Sequence, residues 1–472
     1  MFIGREKELR TLENFYSKEG IGMIVVYGRR RIGKSTLINE FVKDKKAIFY
    51  TASKVGNERN AELFAKQVLL TLSPRNEHLK FDSLEGLFDF IAIEAKKDKI
   101  ILVIDELPYW AEKDESFLSI LQKYIDTSWR DTNIKIILCG SSLSFMEKRV
   151  LSEKSPLFGR RDSQMRVDAF NYLDSALFVP DYSFEDKAIV YGITGGVPKY
   201  LSLIDPHLSL DENIIRLFFT SSGYLYDETK NLLVQEFSDV SLVNNIIEQV
   251  AHGENTISDI ATKLKERETT VLYPLEKLLQ VEIVTKKRCM GEEKNKKKTQ
   301  YVLKDTMFKF WYEFIPAAIS AIEMGKGELY YNKIVKPKLH SYMGSIFENM
   351  CRYFTFQKGI LGAFGPFINE VGSWWGNELI EEEGKKRYEP TDIDVVAFST
   401  SEKQYLVGEC KFKNEEFDKG NYDDLVRRST LIPTKYHRVA PFLLFSLSGF
   451  TSWVKENAKD AKLLTLEDLY RL

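Results

Sequence analysis

At 472 residues the chain is longer than one hydrophobic core usually serves, so two to four domains are expected. Hydrophobic residues at 44% and charged residues at 29% exclude a disordered or membrane-embedded chain, and a formal net charge of -2 argues against wholesale coating of a polyanion while leaving room for local basic patches. Cys139, Cys289, Cys351 and Cys410 lack zinc-site spacing, and no run of 18 apolar residues occurs, so a cytoplasmic protein with reduced thiols and no membrane partner is expected.

The first strong element is the apolar strand GMIVVY. It runs into Gly28-Arg29-Arg30-Arg31-Ile32-Gly33-Lys34-Ser35, followed by Thr36 and the amphipathic stretch KSTLINEFV. The pattern G-x-x-x-x-G-K-[ST] between strand and helix predicts a phosphate loop, because the glycines let the backbone curl until successive N–H groups and the helix N-terminus face an anion. Lys34 then reaches the β- and γ-phosphates of ATP, and Ser35 can ligate Mg²⁺. Arg29, Arg30 and Arg31 occupy the variable positions. Their side chains are expected to point outward as solvated charges beside the anion, with a contact to DNA or a neighbouring subunit as the alternative.

Further on, KIILVIDELPYW ends a buried-type strand in Asp105 and Glu106, at the edge where an open parallel sheet presents its ligand. Asp105 is expected behind the metal and Glu106 beside the attacking water, which implies hydrolysis rather than binding alone. The strand IKIILCGSS ends in Ser141 and Ser142, either of which could touch the γ-phosphate or the water, or simply turn the chain. Strands alternating with helices predict a doubly wound parallel α/β domain over residues 1–165.

A helical lid is expected over 166–235, and residues 236–312 read as a winged helix. TISDIATKLK and ETTVLYPLEKLLQVEIV are spaced as a helix-turn-helix, with Pro274 compatible only with a helix that starts near Thr270. A hairpin-like stretch follows, in which residues 286–298 carry seven Lys or Arg against two Glu, a candidate wing facing phosphates. The aromatic stripe KDTMFKFWYEFI reads as core. Residues 313–340 are expected to link to a last domain over 341–472.

In that last third, period two puts Val407, Glu409, Lys411 and Lys413 on one face of YLVGECKFK, and Asp392 and Asp394 on one face of TDIDVVAF. Paired strands would bring Asp394 and Glu409 together. Two carboxylates in a cleft repel unless a cation lies between them, which points to Mg²⁺ or Mn²⁺, with Lys411 placed to orient a nucleophile. The alternative is a charged face that guards an edge strand.

FIGREKELRTLENFY, YGRRRIGKS, LVIDELPY, GSSLSFME, SPLFGRR and GITGGVPKYL together resemble, in order, the conserved stretches of the archaeal-type ATPase family, in the AAA+ and STAND-like branch of nucleotide hydrolases. The resemblance implies that Arg160 or Arg161 acts as an arginine finger, in cis or from a neighbouring copy in a homo-oligomer, and that Pro198 caps the base from the lid. GSIFENMCRYF, YEPTDIDVVAF and YLVGECKFK resemble the PD-(D/E)xK restriction-endonuclease-like domain that ends many members of that family. This implies DNA as a partner, Glu348 as an additional catalytic acid, and Asp394, Glu409 and Lys411 as the cutting centre; Pro390 lies four residues before Asp394, displaced from the usual signature. The expected activity is an ATPase coupled to a DNA-directed nuclease domain. A STAND-like switch that binds nucleic acid or protein without cleaving is the alternative.

Overall fold

The computed structural model describes residues 2–76, 78–112, 116–237, 239–382 and 385–471, which fall into two compact units. The first comprises Met1–Ala169 together with Val197–Lys199, the second Phe170–Gly196 and Tyr200–Leu472.

Five strands build the first unit: β1 (Gly22–Tyr27), β2 (Ala47–Thr51), β3 (Ile100–Asp105), β4 (Ile134–Gly140) and β5 (Ser163–Arg166). They form a parallel sheet in the order β2-β3-β4-β1-β5, the doubly wound architecture expected from the sequence. The strands β1, β3 and β4 are buried at every position because helices cover both faces. Along β1, Met23, Val25 and Tyr27 enter one core with Trp110 and Phe88, while Ile24 and Val26 enter the other with Leu37 and Phe41.

The second unit opens with short helices, including Phe184–Thr194. Helices Val240–Ala251, Ile257–Leu264 and Glu268–Gln280 then precede the antiparallel pair β6 (Val284–Lys287) and β7 (Gln300–Leu303). The last of these helices begins at Glu268 and runs through Pro274, correcting the expected start near Thr270. Buried Val271, Leu275 and Leu278 pin it on both sides of the proline, and tertiary packing overrides the lost hydrogen bond. The aromatic stripe forms helix Thr306–Glu323 with Phe308, Phe310, Tyr312 and Phe314 buried. Residues 313–340, read as a linker, lie in that helix and the short helical turns that follow, and helix Leu339–Gly359 spans the boundary expected at 340.

The remaining strands are β8 (Glu370–Glu382), β9 (Lys385–Ser399), β10 (Gln404–Lys411), β11 (His437–Arg438), β12 (Phe442–Ser446) and β13 (Ala461–Thr465). The sheet order is β13-β12-β10-β9-β8, with β11 beside β10. APFLLFS supplies the buried β12, as its apolar run suggested. Helix Leu339–Gly359 packs on this sheet through Phe347 against Phe412 and Phe354 against Phe445.

The stretch between β6 and β7 docks on this sheet. Cys289 forms an isolated bridge with Ser373, the Met290 amide donates to the Ser373 carbonyl at 3.0 Å, and Lys298 Nζ donates to the Trp375 carbonyl at 3.0 Å. Met290 is buried among Trp374, Phe398 and Ile432. The expected wing is therefore anchored at its tip, although Lys286, Arg288, Lys294 and Lys297 remain exposed.

Truncating Met290 removes a plug from the last sheet's own core. Met290→Ala should lower the stability of the second unit by about 2–5 kcal/mol. Lys286→Ala, exposed on the same hairpin, should stay within about 0.5 kcal/mol. Urea melts followed by tryptophan fluorescence check both.

Candidate functional site

At the C-terminal edge of the first sheet, Gly28 leaves β1 so close to the Val167 carbonyl that an added Cβ would lie 2.2 Å from its oxygen. Gly33 has φ +79° and starts helix Lys34–Val42. Ile32 is fully buried, so it offers a ligand only its backbone. Lys34, 5% exposed, turns its Nζ onto the carbonyls of Gly28 and Arg29, both at 2.9 Å. Burial holds this ammonium below the usual lysine range, while nearby groups, Glu106 and Asp105 among them, pull the other way. Thr36 is exposed in the first helical turn.

Asp105 is buried at the end of β3. One of its oxygens accepts from Ser35 Oγ at 2.7 Å and the other from the Glu106 amide at 3.0 Å. Glu106 has a left-handed backbone, φ 50°, and its Oε2 accepts from the Ser141 amide at 3.2 Å and the Ser141 hydroxyl at 2.7 Å. Ser141 thus holds the acid, a role the sequence did not suggest, whereas Ser142 caps the next helix by accepting from the Phe145 amide. Of the three loop arginines, Arg30 donates to the Tyr109 hydroxyl at 2.9 Å. Lys54 also lies over the Tyr109 ring, 5.0 Å from its centroid.

Pro198 lies against Gly33, 3.7 Å from where a Cβ would stand, and the Lys199 amide donates to the Arg31 carbonyl at 3.3 Å. The residues expected over the base therefore touch the phosphate loop itself. Arg160 forks onto Asp126 with two contacts of 2.7 Å. Arg161 donates to the Leu151 carbonyl at 2.9 Å, and its charge acts on Tyr27, the residue before Gly28.

In the second unit, β9 and β10 bring Asp394 and Glu409 together. Asp394 Oδ2 accepts from the Cys410 amide at 2.8 Å, and burial first, then Glu409 and Glu348, push the Asp394 carboxyl well above the usual range. Glu409 is 4% exposed. Its Oε1 accepts from Lys411 at 2.7 Å, and its Oε2 lies 3.1 Å from Arg428 Nη2 in an ion pair whose geometry makes no hydrogen bond, leaving this buried oxygen without a donor. Burial works against the Lys411 ammonium, but Glu409 outweighs it and raises the pKa. Glu348 pairs with Arg352 at 3.3 Å, and Arg352 in turn donates to the Asp394 carbonyl at 2.6 Å.

Glu348, Asp394, Glu409 and Lys411 line a cleft of about 590 Å³ that also presents Lys413, Arg427 and Arg428. Among the described residues, no group of three or more His, Cys, Asp or Glu side chains is arranged to hold a metal ion. Two hard carboxylates, one with a buried oxygen lacking a donor, suit a divalent cation that keeps most of its water.

Strand, glycine loop, buried lysine, hydroxyl and paired acids define a P-loop ATPase. Residues 2–204 match the family of ATPase domains predominantly from Archaea, and residues 311–422 match archaeal and bacterial proteins of unknown function. An uncharacterized protein of Methanocaldococcus jannaschii is 29% identical over 472 residues, covering 99% of this chain and 100% of its own. An uncharacterized ATP-binding protein of the same organism is 26% identical over 319 residues, 56% of this chain and 87% of its own. The Walker-type ATPase of Pyrococcus abyssi shares the fold, with a TM-score of 0.51 at 20% identity over 66% of this chain and 96% of that one. Among the described residues, no helix is long and apolar enough to cross a membrane.

The raised pKa of Asp394 gives the cleft a pH signature. The folded chain holds this proton more tightly than the unfolded one, so the contribution is full below the unfolded carboxylate pKa of about 3.9 and is lost as pH rises through the folded value. Asp394→Asn removes that loss. In metal-free buffer its Tm should exceed that of the unaltered chain by a margin that widens from about pH 4 to about pH 8.

Proposed function

We propose that this ATPase binds ATP with Mg²⁺, hydrolyses it, and couples nucleotide state to a nuclease-like, DNA-directed domain over residues 341–472. In the first unit, Lys34 exchanges the carbonyls of Gly28 and Arg29 for the β- and γ-phosphates. Ser35 and Asp105, 2.7 Å apart, are hard oxygen donors that would hold Mg²⁺, which would supply charge to offset that of the phosphates. Glu106, released from Ser141, orients the attacking water.

The observation that carries the nuclease reading is the meeting of Asp394 and Glu409 on adjacent strands, where after burial it is Glu409 that most raises the pKa of Asp394. Asp394 and Glu409 would hold a divalent ion, which would supply Lewis-acid charge to a phosphodiester and to an attacking water. Lys411 orients that water, Glu348 assists as the additional acid, and Lys413, Arg427 and Arg428 meet backbone phosphates. The exposed Lys286, Arg288, Lys294 and Lys297 extend the basic surface for DNA. A second reading, a STAND-like switch that binds without cutting, is favoured by the cations on both oxygens of Glu409. Arg161 is the better candidate for an arginine finger within a homo-oligomer, because Arg160 is committed to Asp126.

Lys34→Ala should lower ATP turnover by about 100-fold or more. Glu106→Gln should keep ATP bound while slowing hydrolysis by about 10² to 10⁴. Normal turnover in either refutes the assignment.

For the cleft, single-stranded, duplex and branched DNA are incubated with Mn²⁺, with and without ATP. Nicking that Glu409→Gln abolishes while ATP turnover persists supports the nuclease reading. An unaltered chain that cuts none of them leaves the switch.

A further inference from the structure

Beside the acid cleft stands a residue from far earlier in the chain than β9, β10 and the helices that line it. Lys287, the last residue of β6, lies over Trp375 with its Nζ 5.1 Å from the ring centroid. Trp375 is the direct partner of Asp392 in the β8–β9 register, and directly opposed residues project to the same face of a sheet. Asp394, two residues on, shares that face by strand period. Lys287 is therefore held on the acid-bearing face of the last sheet.

The placement is built. The Trp375 amide donates to Cys289 Sγ at 3.4 Å, that thiol lies 3.3 Å from the Trp375 carbonyl, and Lys298 reaches the same carbonyl. Met290 fills the space over Gly372, where an added Cβ would come within 2.7 Å of it. The contacts of Cys289 and Met290 thus fix the backbone just past Lys287 to the strand that carries Trp375, and Lys298 ties down the far side of the hairpin. The electrostatics agree. Burial lowers the pKa of Lys287, as does Arg352, while Glu348, Asp392 and Asp394 draw it back up.

We infer that Lys287 is a positioning residue of the acid cleft: a built-in counter-ion, delivered by the β6–β7 hairpin, that competes with a divalent cation for Asp394 and its neighbours. This rests on the reading of Asp394 and Glu409 as cation ligands. The hairpin's job is then electrostatic as well as structural. A cation entering beside Asp394 meets a like charge that can swing away only along the flexible lysine stem, because the backbone beneath it is pinned.

The test uses Mn²⁺ alone as probe, titrated calorimetrically into the full chain without nucleotide or DNA. Binding at the cleft is identified by its loss in Glu409→Gln. Lys287→Met keeps the stem over Trp375 and removes the charge, and should bind Mn²⁺ about threefold to tenfold more tightly. Lys287→Arg keeps the charge and should match the unaltered chain. Cleft binding that emerges only in Lys287→Met also supports the inference. It is overturned if Lys287→Met binds within about twofold of the unaltered chain, if Lys287→Arg gains as much as Lys287→Met, or if no variant binds Mn²⁺ at the cleft. DNA cleavage is scored separately: a charge-dependent change in Mn²⁺ affinity without nicking retains the counter-ion and discards the nuclease.

Discussion

A charge taken out of water has to be answered by another charge or by hydrogen bonds, and this constraint shapes both sites. Lys34 is buried, and the two carbonyls that it meets are those of the loop that presents it. Asp105 is buried, and Ser35 and the next amide in the chain satisfy it. Glu106 takes a backbone conformation disfavoured for a residue with a Cβ, and both Ser141 donors hold it there. Glu409 lies between Lys411 and Arg428. In each case the group that would act on a ligand is already committed to a partner within the chain, so engaging the ligand means exchanging one partner for another. Such exchanges avoid the full cost of desolvating a bare ion, which keeps the acting groups buried yet available.

The two units meet this constraint with different architecture. In the first, parallel strands buried on both faces fix their C-terminal ends rigidly, and the phosphate loop, Asp105 and Ser141 all sit on those ends. In the second, the antiparallel contact of β9 with β10 sets two acids side by side in a buried setting, and burial first, then Glu409, raise the pKa of Asp394. The surrounding cations come from elsewhere in sequence: Arg352 from a helix, Arg428 from helix Lys419–Arg428, Lys287 from the β6–β7 hairpin.

Legibility in the sequence followed locality. The phosphate loop is eight consecutive residues with one meaning, and the faces of β9 and β10 follow from period two, so Lys34, Ser35, Asp105, Asp394 and Glu409 were readable. Ser141 was readable as a strand-end hydroxyl, but its bond to Glu106 depends on the β3–β4 register. The hairpin's lysines suggested a free basic wing because composition says nothing about docking; the contacts of Cys289, Met290 and Lys298 with Ser373 and Trp375 span some eighty residues. Pro274 misled for the same reason, since burial of residues on both sides of it outweighs a local propensity. Arg160 carried the expected residue type, but its fork on Asp126 is a tertiary fact.

The two units are interleaved along the chain. The chain leaves the second unit after Gly196, contributes Val197, Pro198 and Lys199 to the first, and returns at Tyr200. Lys199 is bonded to the Arg31 carbonyl and Pro198 lies on Gly33, so these three residues follow the phosphate loop. Immediately upstream is helix Phe184–Thr194, whose Gly192 faces Met343 so closely that a Cβ would lie 2.4 Å from its sulfur, and whose Gly192 carbonyl accepts from the Tyr342 hydroxyl at 2.8 Å. Met343 and Tyr342 belong to helix Leu339–Gly359, which also carries Glu348 and Arg352. Gly195 and Gly196, both at positive φ, end helix Phe184–Thr194 and turn the chain into Val197, a conformation that a residue with a Cβ would adopt only at a cost.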